Sequence, residues 1–239
     1  MTENTPTSIK PLDITSGEGQ ERFAGVFRYA QVGRCVNGVT HDVNNYLGAA
    51  LAYAELVQMD GQISDETLPM LEKLIDAVEK CSKLITSLTI IARPLSAMVS
   101  MVDVNTIIRD TVLLREYDLR NARIELRLEL DPALPSLVVE TQKIHLALMY
   151  VLLNSEEALR AESEPRIIAI RTRRESDMLL IEVWNNGPVV PELDRQRIFE
   201  TFTTSKTSEH LGLGLALARD MLVLHGGTLD YAPEQGFVM

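Results

Sequence analysis

The chain has 239 residues, room for one large domain or two modest ones, and its 46% hydrophobic and 24% charged residues are those of a folded protein rather than a disordered one. A net charge of -11 without clustered Lys and Arg argues against direct nucleic-acid binding, because phosphate backbones are held by grouped cations. No apolar run is long enough to span a bilayer, the N-terminus lacks a signal-peptide pattern, and Cys35 and Cys81 alone form neither a disulfide framework nor a zinc site, so a cytoplasmic, metal-cluster-free protein is expected.

Residues 1–20 are rich in Thr, Ser, Pro, Gly and Glu and are expected to be a disordered leader. From Arg22 onward, Phe27, Val32, Val36, Val39, Val43, Leu47, Ala50, Ala54 and Val57 recur at steps of mostly three and four, which predicts one long helix. After a break at Asp60-Gly61, Ser64 precedes a second periodic run from Leu68 through Leu71, Leu74, Ile75, Val78, Cys81, Ile85 and Leu88, closed by Pro94. Joined by a short turn, two such helices make an antiparallel hairpin over residues 21–95. A lone hairpin cannot bury a seam on both partners, so dimerisation into a four-helix bundle is expected; a monomeric helical subdomain packed on the rest of the chain is the alternative.

Residues 100–239 read as a second, mixed domain. A helix is predicted from Val104 to Tyr117, then a strand through Ile124, Leu126, Leu128 and Leu130, and a short strand from Leu137 to Val139. A helix from Thr141 to Ala161 precedes Pro165, and Ile167 to Thr172 with Leu179 to Trp184 form a hairpin turning at Glu175, Ser176 and Asp177. A last helix from about Leu213 to Leu224 stops at Gly226-Gly227, followed by short closing strands at Thr228 to Tyr231 and Gly236 to Met239. The fold class is α+β, with helices on one face of a mixed sheet and no internal repeat.

Four groups of residues could carry chemistry. His41-Asp42-Val43-Asn44-Asn45 interrupts the apolar stripe of the first helix. Helical spacing puts His41 and Asn45 one turn apart on one face, with Asp42 beside His41 on the adjacent, more exposed flank. A carboxylate there can accept an imidazole proton and sharpen the ring as a nucleophile, whereas a lone helical His is more often a plain surface residue. Asn154 interrupts a strongly apolar helix; an amide in such a run needs a partner, either a core hydrogen bond or a ligand or metal. Val183 to Pro191 is a strand running into a turn-rich loop. Ile198 to Lys206 precedes Leu211-Gly212-Leu213-Gly214-Leu215-Ala216, where glycines opening a helix let backbone N–H groups approach phosphate oxygens.

Taken in order, these elements resemble the two-component sensor histidine kinase family: an H-box (HDVNN), an N-box (LLNSEEAL), a G1-box (NNGPVVP), an F-box (IFETFTTSK) and a G2-box (GLGLALA), with His225-Gly226-Gly227 also fitting. The HDxxN form is most similar to the nitrogen-regulation type. The resemblance implies a dimerisation and phosphoacceptor hairpin followed by a two-layer α/β sandwich of the GHKL (Bergerat) ATP-binding fold. It implies that His41 is the phosphoacceptor, Asp42 its base, and Asn45 the residue positioning water for dephosphorylation. It further implies that Asn154 ligates Mg2+ and that Asn185, Gly187, Thr204, Lys206, Gly212 and Gly214 hold ATP. The expected reaction is phosphoryl transfer from ATP to His41 and on to an aspartate of a response-regulator receiver domain.

The chain departs from the family pattern at the nucleotide site. Asn185 stands where the family has an adenine-binding Asp, Val189 and His210 replace glycines of the two loops, and Tyr150 replaces the first Asn of the N-box. An Asn oxygen still accepts a hydrogen bond, and a β-branched Val resists positive φ, so a reshaped loop is expected. These changes leave an alternative open: an ATP-independent histidine phosphotransferase. A regulatory scaffold without phosphate chemistry is a third reading, disfavoured by the polar His-Asp pair beside an apolar seam.

Overall fold

Apolar periodicity and turn chemistry set most of the architecture of the computed structural model, which describes residues 10–11, 17–59, 64, 67–92, 98–204 and 212–239. The chain divides into two units, Tyr29–Pro94 in one and Leu95–Met239 with Met1–Arg28 in the other. Among the described residues no helix is long and apolar enough to cross a membrane.

The first unit holds helix α1, Gly17–Met59, from Tyr29 onward and helix α2, Leu68–Ala92. α1 starts at Gly17, within the stretch expected to be a leader; most of the rest of that stretch, the Asp60-Gly61 break and Pro94 lie outside the described residues. Ser64 accepts the Leu68 backbone N–H at 3.1 Å through its carbonyl and meets the Thr67 hydroxyl at 2.8 Å, fixing the approach to α2. The stripe expected on α1 as one seam has Val39 on a different row from its buried members. Thr40 and Ala54 are buried with Val43, Leu47 and Leu51 half-buried between them. A second row, Val39, Tyr46 and Tyr53, spaced by seven, is exposed at 61, 75 and 71%. On α2, Leu71 and Val78 are buried, also seven apart.

In the second unit, strand β1 (Lys10–Pro11) pairs antiparallel with the later strand β7 (Thr203–Thr204). Strand β2 (Ser100–Val102) pairs antiparallel with β4 (Leu137–Val139) in a small separate sheet. Helix α3, Val104–Asn121, is capped by Asp103, whose carboxylate accepts the Asn105 N–H at 2.9 Å. It runs past the expected end at Tyr117. Then come β3 (Ile124–Leu130), α4 (Thr141–Leu159), the hairpin β5 (Arg166–Glu175) and β6 (Met178–Asn185), α5 (Gly214–Val223), and β8 (Asp230–Ala232) and β9 (Gly236–Val238).

The main sheet has the order β3-β5-β6-β9-β8, with β3 and β5 parallel and the remaining pairs antiparallel. Strand periodicity assigns its two faces. Ile168, Ile170, Ile181 and Val183 are buried with Ile108 of α3, Leu148 and Leu152 of α4 and Leu222 of α5 in one core. Each such side chain removed from water stabilises the fold by about 1.5–3 kcal/mol. The opposite face carries charged pairs, across strands for Arg171 with Glu129 at 2.8 Å and Arg173 with Glu182, and along β5 for Arg173 with Glu175. One set of buried polar groups in this unit satisfies itself. Asn105 donates to the Asp131 carbonyl at 2.8 Å and accepts from the Thr172 hydroxyl at 3.1 Å, while that hydroxyl accepts the Asp131 N–H at 3.0 Å.

Candidate functional site

On α1, inward-facing Thr40 and half-buried Val43 and Asn44 turn His41 outward. The His41 and Asp42 side chains are equally exposed, at 74 and 72%, so Asp42 is not the more solvated of the two as helical spacing alone implied. His41 Nδ1 lies 3.3 Å from Asp42 Oδ1 and 3.4 Å from Asn45 Nδ2. These contacts exclude each other in one tautomer. With a proton on Nδ1 the ring donates to Asp42 and presents the Nε2 lone pair to solvent; with Nδ1 bare it accepts from Asn45. The first arrangement orients a nucleophilic nitrogen outward with a carboxylate behind it.

In the second unit, α4, the end of β6 and the start of α5 carry the other candidates. Asn154 is half-buried and its amide meets no hydrogen-bond partner among the described residues. Tyr150, one turn earlier on α4, lies against the start of α5: its ring and Cβ atoms stand 3.5–3.7 Å from where a Cβ on Gly214 would be. Burial pushes its phenol above the usual tyrosine range. Among the described residues no side chain caps the N-terminus of α5, so its first-turn N–H groups keep their partial positive charge for an anion.

Gly212 has φ +65, and a Cβ there would stand 2.5 Å from the Thr203 carbonyl oxygen, so this turn fits a glycine only. Thr204 enters through its backbone, as the β7 partner of Lys10. Lys206 and His210 lie outside the described residues. Just before β7, Phe202 holds φ +59, a strained value for a bulky residue. Phe199 packs edge-on against Phe237, with the Arg219 guanidinium 5.2 Å from its ring centroid.

Asn185 and Asn186, alike in sequence, do different things. Asn186 accepts the Ile167 N–H at 2.7 Å and donates to the Pro165 carbonyl at 2.7 Å, anchoring the loop to β5. The Asn185 amide is half-buried and meets no partner among the described residues, and its Nδ2 lies 2.8 Å from where a Cβ on Gly187 would stand. Val189 does not take a positive φ; the loop instead runs on into one-turn 3-10 helices at Glu192–Asp194 and Arg197–Phe199, and the Val190 N–H is held by the Tyr231 hydroxyl at 3.1 Å. That tether, 41 residues distant, has no sequence signal. Likewise His225, noted only as part of a motif, is nearly buried: Nδ1–H donates to the Met221 carbonyl at 2.7 Å and Nε2 accepts the Glu140 N–H at 3.0 Å, at the start of α4.

Unpartnered amides at Asn154 and Asn185, an uncapped helix start and a glycine-packed turn form a donor set that suits a polyanionic ligand with a polar base. The profile described as histidine kinase-, DNA gyrase B- and HSP90-like ATPase matches residues 141–239. Among curated proteins, signal transduction histidine-protein kinase AtoS of Escherichia coli (strain K12) is 30% identical over 229 residues, 94% of this chain and 36% of that protein. Sensor histidine kinase ZraS of the same strain is 23% identical over 205 residues, 86% of this chain and 43% of that protein. The chain thus spans less than half the length of either relative. Among solved structures, the nucleotide-free catalytic domain of histidine kinase ThkA superposes with TM-score 0.52 at 28% identity, covering 59% of this chain and 91% of that one. The complex of ThkA with response regulator protein TrrA shares the fold, at TM-score 0.50 and 21% identity over 92% of this chain and 63% of that one.

Proposed function

The chain belongs to the two-component sensor histidine kinases, and from that membership we propose that it autophosphorylates His41 from ATP and passes the phosphoryl group to a receiver-domain aspartate. The observation that carries the reading is His41 itself: an exposed imidazole whose Nδ1 faces a carboxylate, leaving Nε2 open. In the reaction, Nε2 attacks the γ-phosphorus, an N–P bond forms, the bond to the bridging oxygen breaks, and ADP leaves with that electron pair. Asp42 holds the Nδ1 proton and balances the charge that develops on the ring.

ATP would be held by the first-turn N–H groups of α5 after Gly212 and Gly214, with Asn185 and Gly187 at the base and Thr204 and Lys206 beside the phosphates. Asn154 would hold Mg2+, which neutralises phosphate charge when bound. The exposed row Val39, Tyr46 and Tyr53 supports a second copy of the chain as the partner of α1, giving a homodimeric four-helix bundle. Asn45 takes the dephosphorylation role of the HDxxN type, and the use of ATP and a receiver domain goes with a cytoplasmic location.

The test is incubation of the full chain with Mg2+ and γ-labelled ATP, followed by acid and base treatment. Label that is acid-labile, base-stable and absent from His41→Ala supports the reading. Label retained in His41→Ala, or no label in the wild type, sinks it.

A further inference from the structure

We propose that Asn185 makes the nucleotide site read both purines, so that it accepts guanine as well as adenine nucleotides. The inference rests on the reading that this domain binds a purine nucleotide, and concerns which base it admits.

Two adjacent carboxamides stand at the end of β6, and only one is engaged. Asn186 spends its oxygen on the Ile167 N–H and its nitrogen on the Pro165 carbonyl. Asn185 is half-buried with its oxygen and nitrogen both unspent among the described residues. Its amide lies over the bare α-carbon of Gly187, where a Cβ would stand 2.8 Å from Nδ2. A half-buried amide with unused donors and acceptor is stabilised by a ligand that presents the complementary pair.

The chemistry of the amide sets what that ligand can be. Adenine offers a 6-amino donor beside the N1 acceptor; Asn185 answers with Oδ1 accepting and Nδ2 donating. Guanine offers the O6 acceptor beside an N1–H donor, and the same amide turned over answers with Nδ2 donating and Oδ1 accepting. A carboxylate at this position accepts only. It suits the 6-amino group, but against guanine it sets a negative oxygen beside O6. The neutral amide removes that repulsive element, and with it the discrimination.

The experiment is calorimetric titration of the full chain with ATP and with GTP, each with Mg2+, on the wild type, Asn185→Asp and Asn185→Ser. The expected wild type binds the two within about tenfold of each other. Asn185→Asp moves the ratio of ATP to GTP affinity toward ATP by about ten- to a hundredfold, the range that one paired base edge commands. Asn185→Ser, which removes the amide without adding charge, weakens both together. Should Asn185→Asp unfold by circular dichroism, the wild-type ratio and the serine variant still decide. ATP binding with GTP more than about a hundredfold weaker overturns this inference alone. Binding of neither nucleotide overturns the ATP reading and this inference with it.

Discussion

Arg115 of α3 and Glu156 of α4 form a two-pronged ion pair: Nε donates to Oε1 at 3.0 Å and Nη2 to Oε2 at 2.7 Å, with side chains 21 and 7% exposed. The bond to Glu156 holds the guanidinium above the usual arginine range, against the opposing effect of its own burial. The pair locks α3 to the helix that carries Asn154 and Tyr150. Truncating one partner leaves a charge in a site built for two, so Glu156→Ala is expected to destabilise the domain by about 3 kcal/mol, the low end for a broken buried pair because Asp118 still contacts Arg115 at 2.8 Å. Urea unfolding checks it. The double variant Arg115→Met with Glu156→Leu should recover most of the loss, and failure to do so would mean the pair contributes more than mutual neutralisation.

His145 makes stability depend on pH. It is 2% exposed, and its Nδ1 lies 2.9 Å from the Thr111 hydroxyl, which itself donates to the Ile107 carbonyl and so accepts from Nδ1–H. Burial lowers its pKa below the ordinary 6.5, only partly opposed by the negative charge of Asp110. Between the lowered folded value and 6.5 the unfolded chain binds a proton that the folded chain does not. Stability from the neutral ring is therefore complete above that value and falls as the medium is acidified, by at most about 1.4 kcal/mol per pH unit. The stability difference between wild type and His145→Gln should shrink from pH 7.5 to pH 5.5. A constant difference would remove His145 from the acid response.

Gly212 and Gly226 separate backbone strain from contact. Both hold positive φ, +65 and +74, but a Cβ at Gly212 would meet the Thr203 backbone at 2.5 Å while one at Gly226 would meet nothing within 4 Å. Alanine at Gly226 is expected to lose about 1 kcal/mol, the left-handed penalty alone, without changing nucleotide affinity. Alanine at Gly212 adds displacement of β7 or of the α5 start, so it should cost more and weaken nucleotide binding. Equal effects of the two on affinity would show that the Thr203 contact does not shape the site.

These contrasts bear on what the sequence made legible. Long periodic segments were read well: α3, β3, α4 and the β5-β6 hairpin all form near their expected positions, because side-chain period alone assigns their faces. β2 escaped notice, since three residues carry no period and its partner β4 lies 35 or more residues on. The 3-10 turns after Val190 likewise have no period to show. On α1 the inward positions Val43, Leu47 and Ala54 were legible, but Val39 was read into the same stripe and the exposed Tyr46 and Tyr53 were not read at all, because a 3.6-residue period drifts across two faces over a long helix. The motif residues were visible from the start. What fixes them in place, such as Tyr231 on Val190 and His225 on Glu140, depends on contacts 41 and 85 residues apart that no local pattern encodes.

The His41 tautomer decides between two variants. Nδ1 lies near both Asp42 and Asn45, at 3.3 and 3.4 Å, yet can serve only one at a time. Asp42→Asn exchanges a charged acceptor for a neutral, weaker one whose NH2 can instead donate to a bare Nδ1, so the population with a free Nε2 lone pair falls and charge on the ring goes unbalanced. Autophosphorylation should then drop by about a hundredfold or more, in the range for loss of a general base. Asn45→Ala removes the competing donor, leaves the productive tautomer favoured and should preserve the rate of label uptake, while slowing loss of label if Asn45 orients water. Asp42 and Asn45 are exposed, so neither change should alter helix content by circular dichroism. Unchanged uptake in Asp42→Asn would sink the base assignment, and a collapse of uptake in Asn45→Ala would mean that Asn45, rather than Asp42, sets the reactive tautomer.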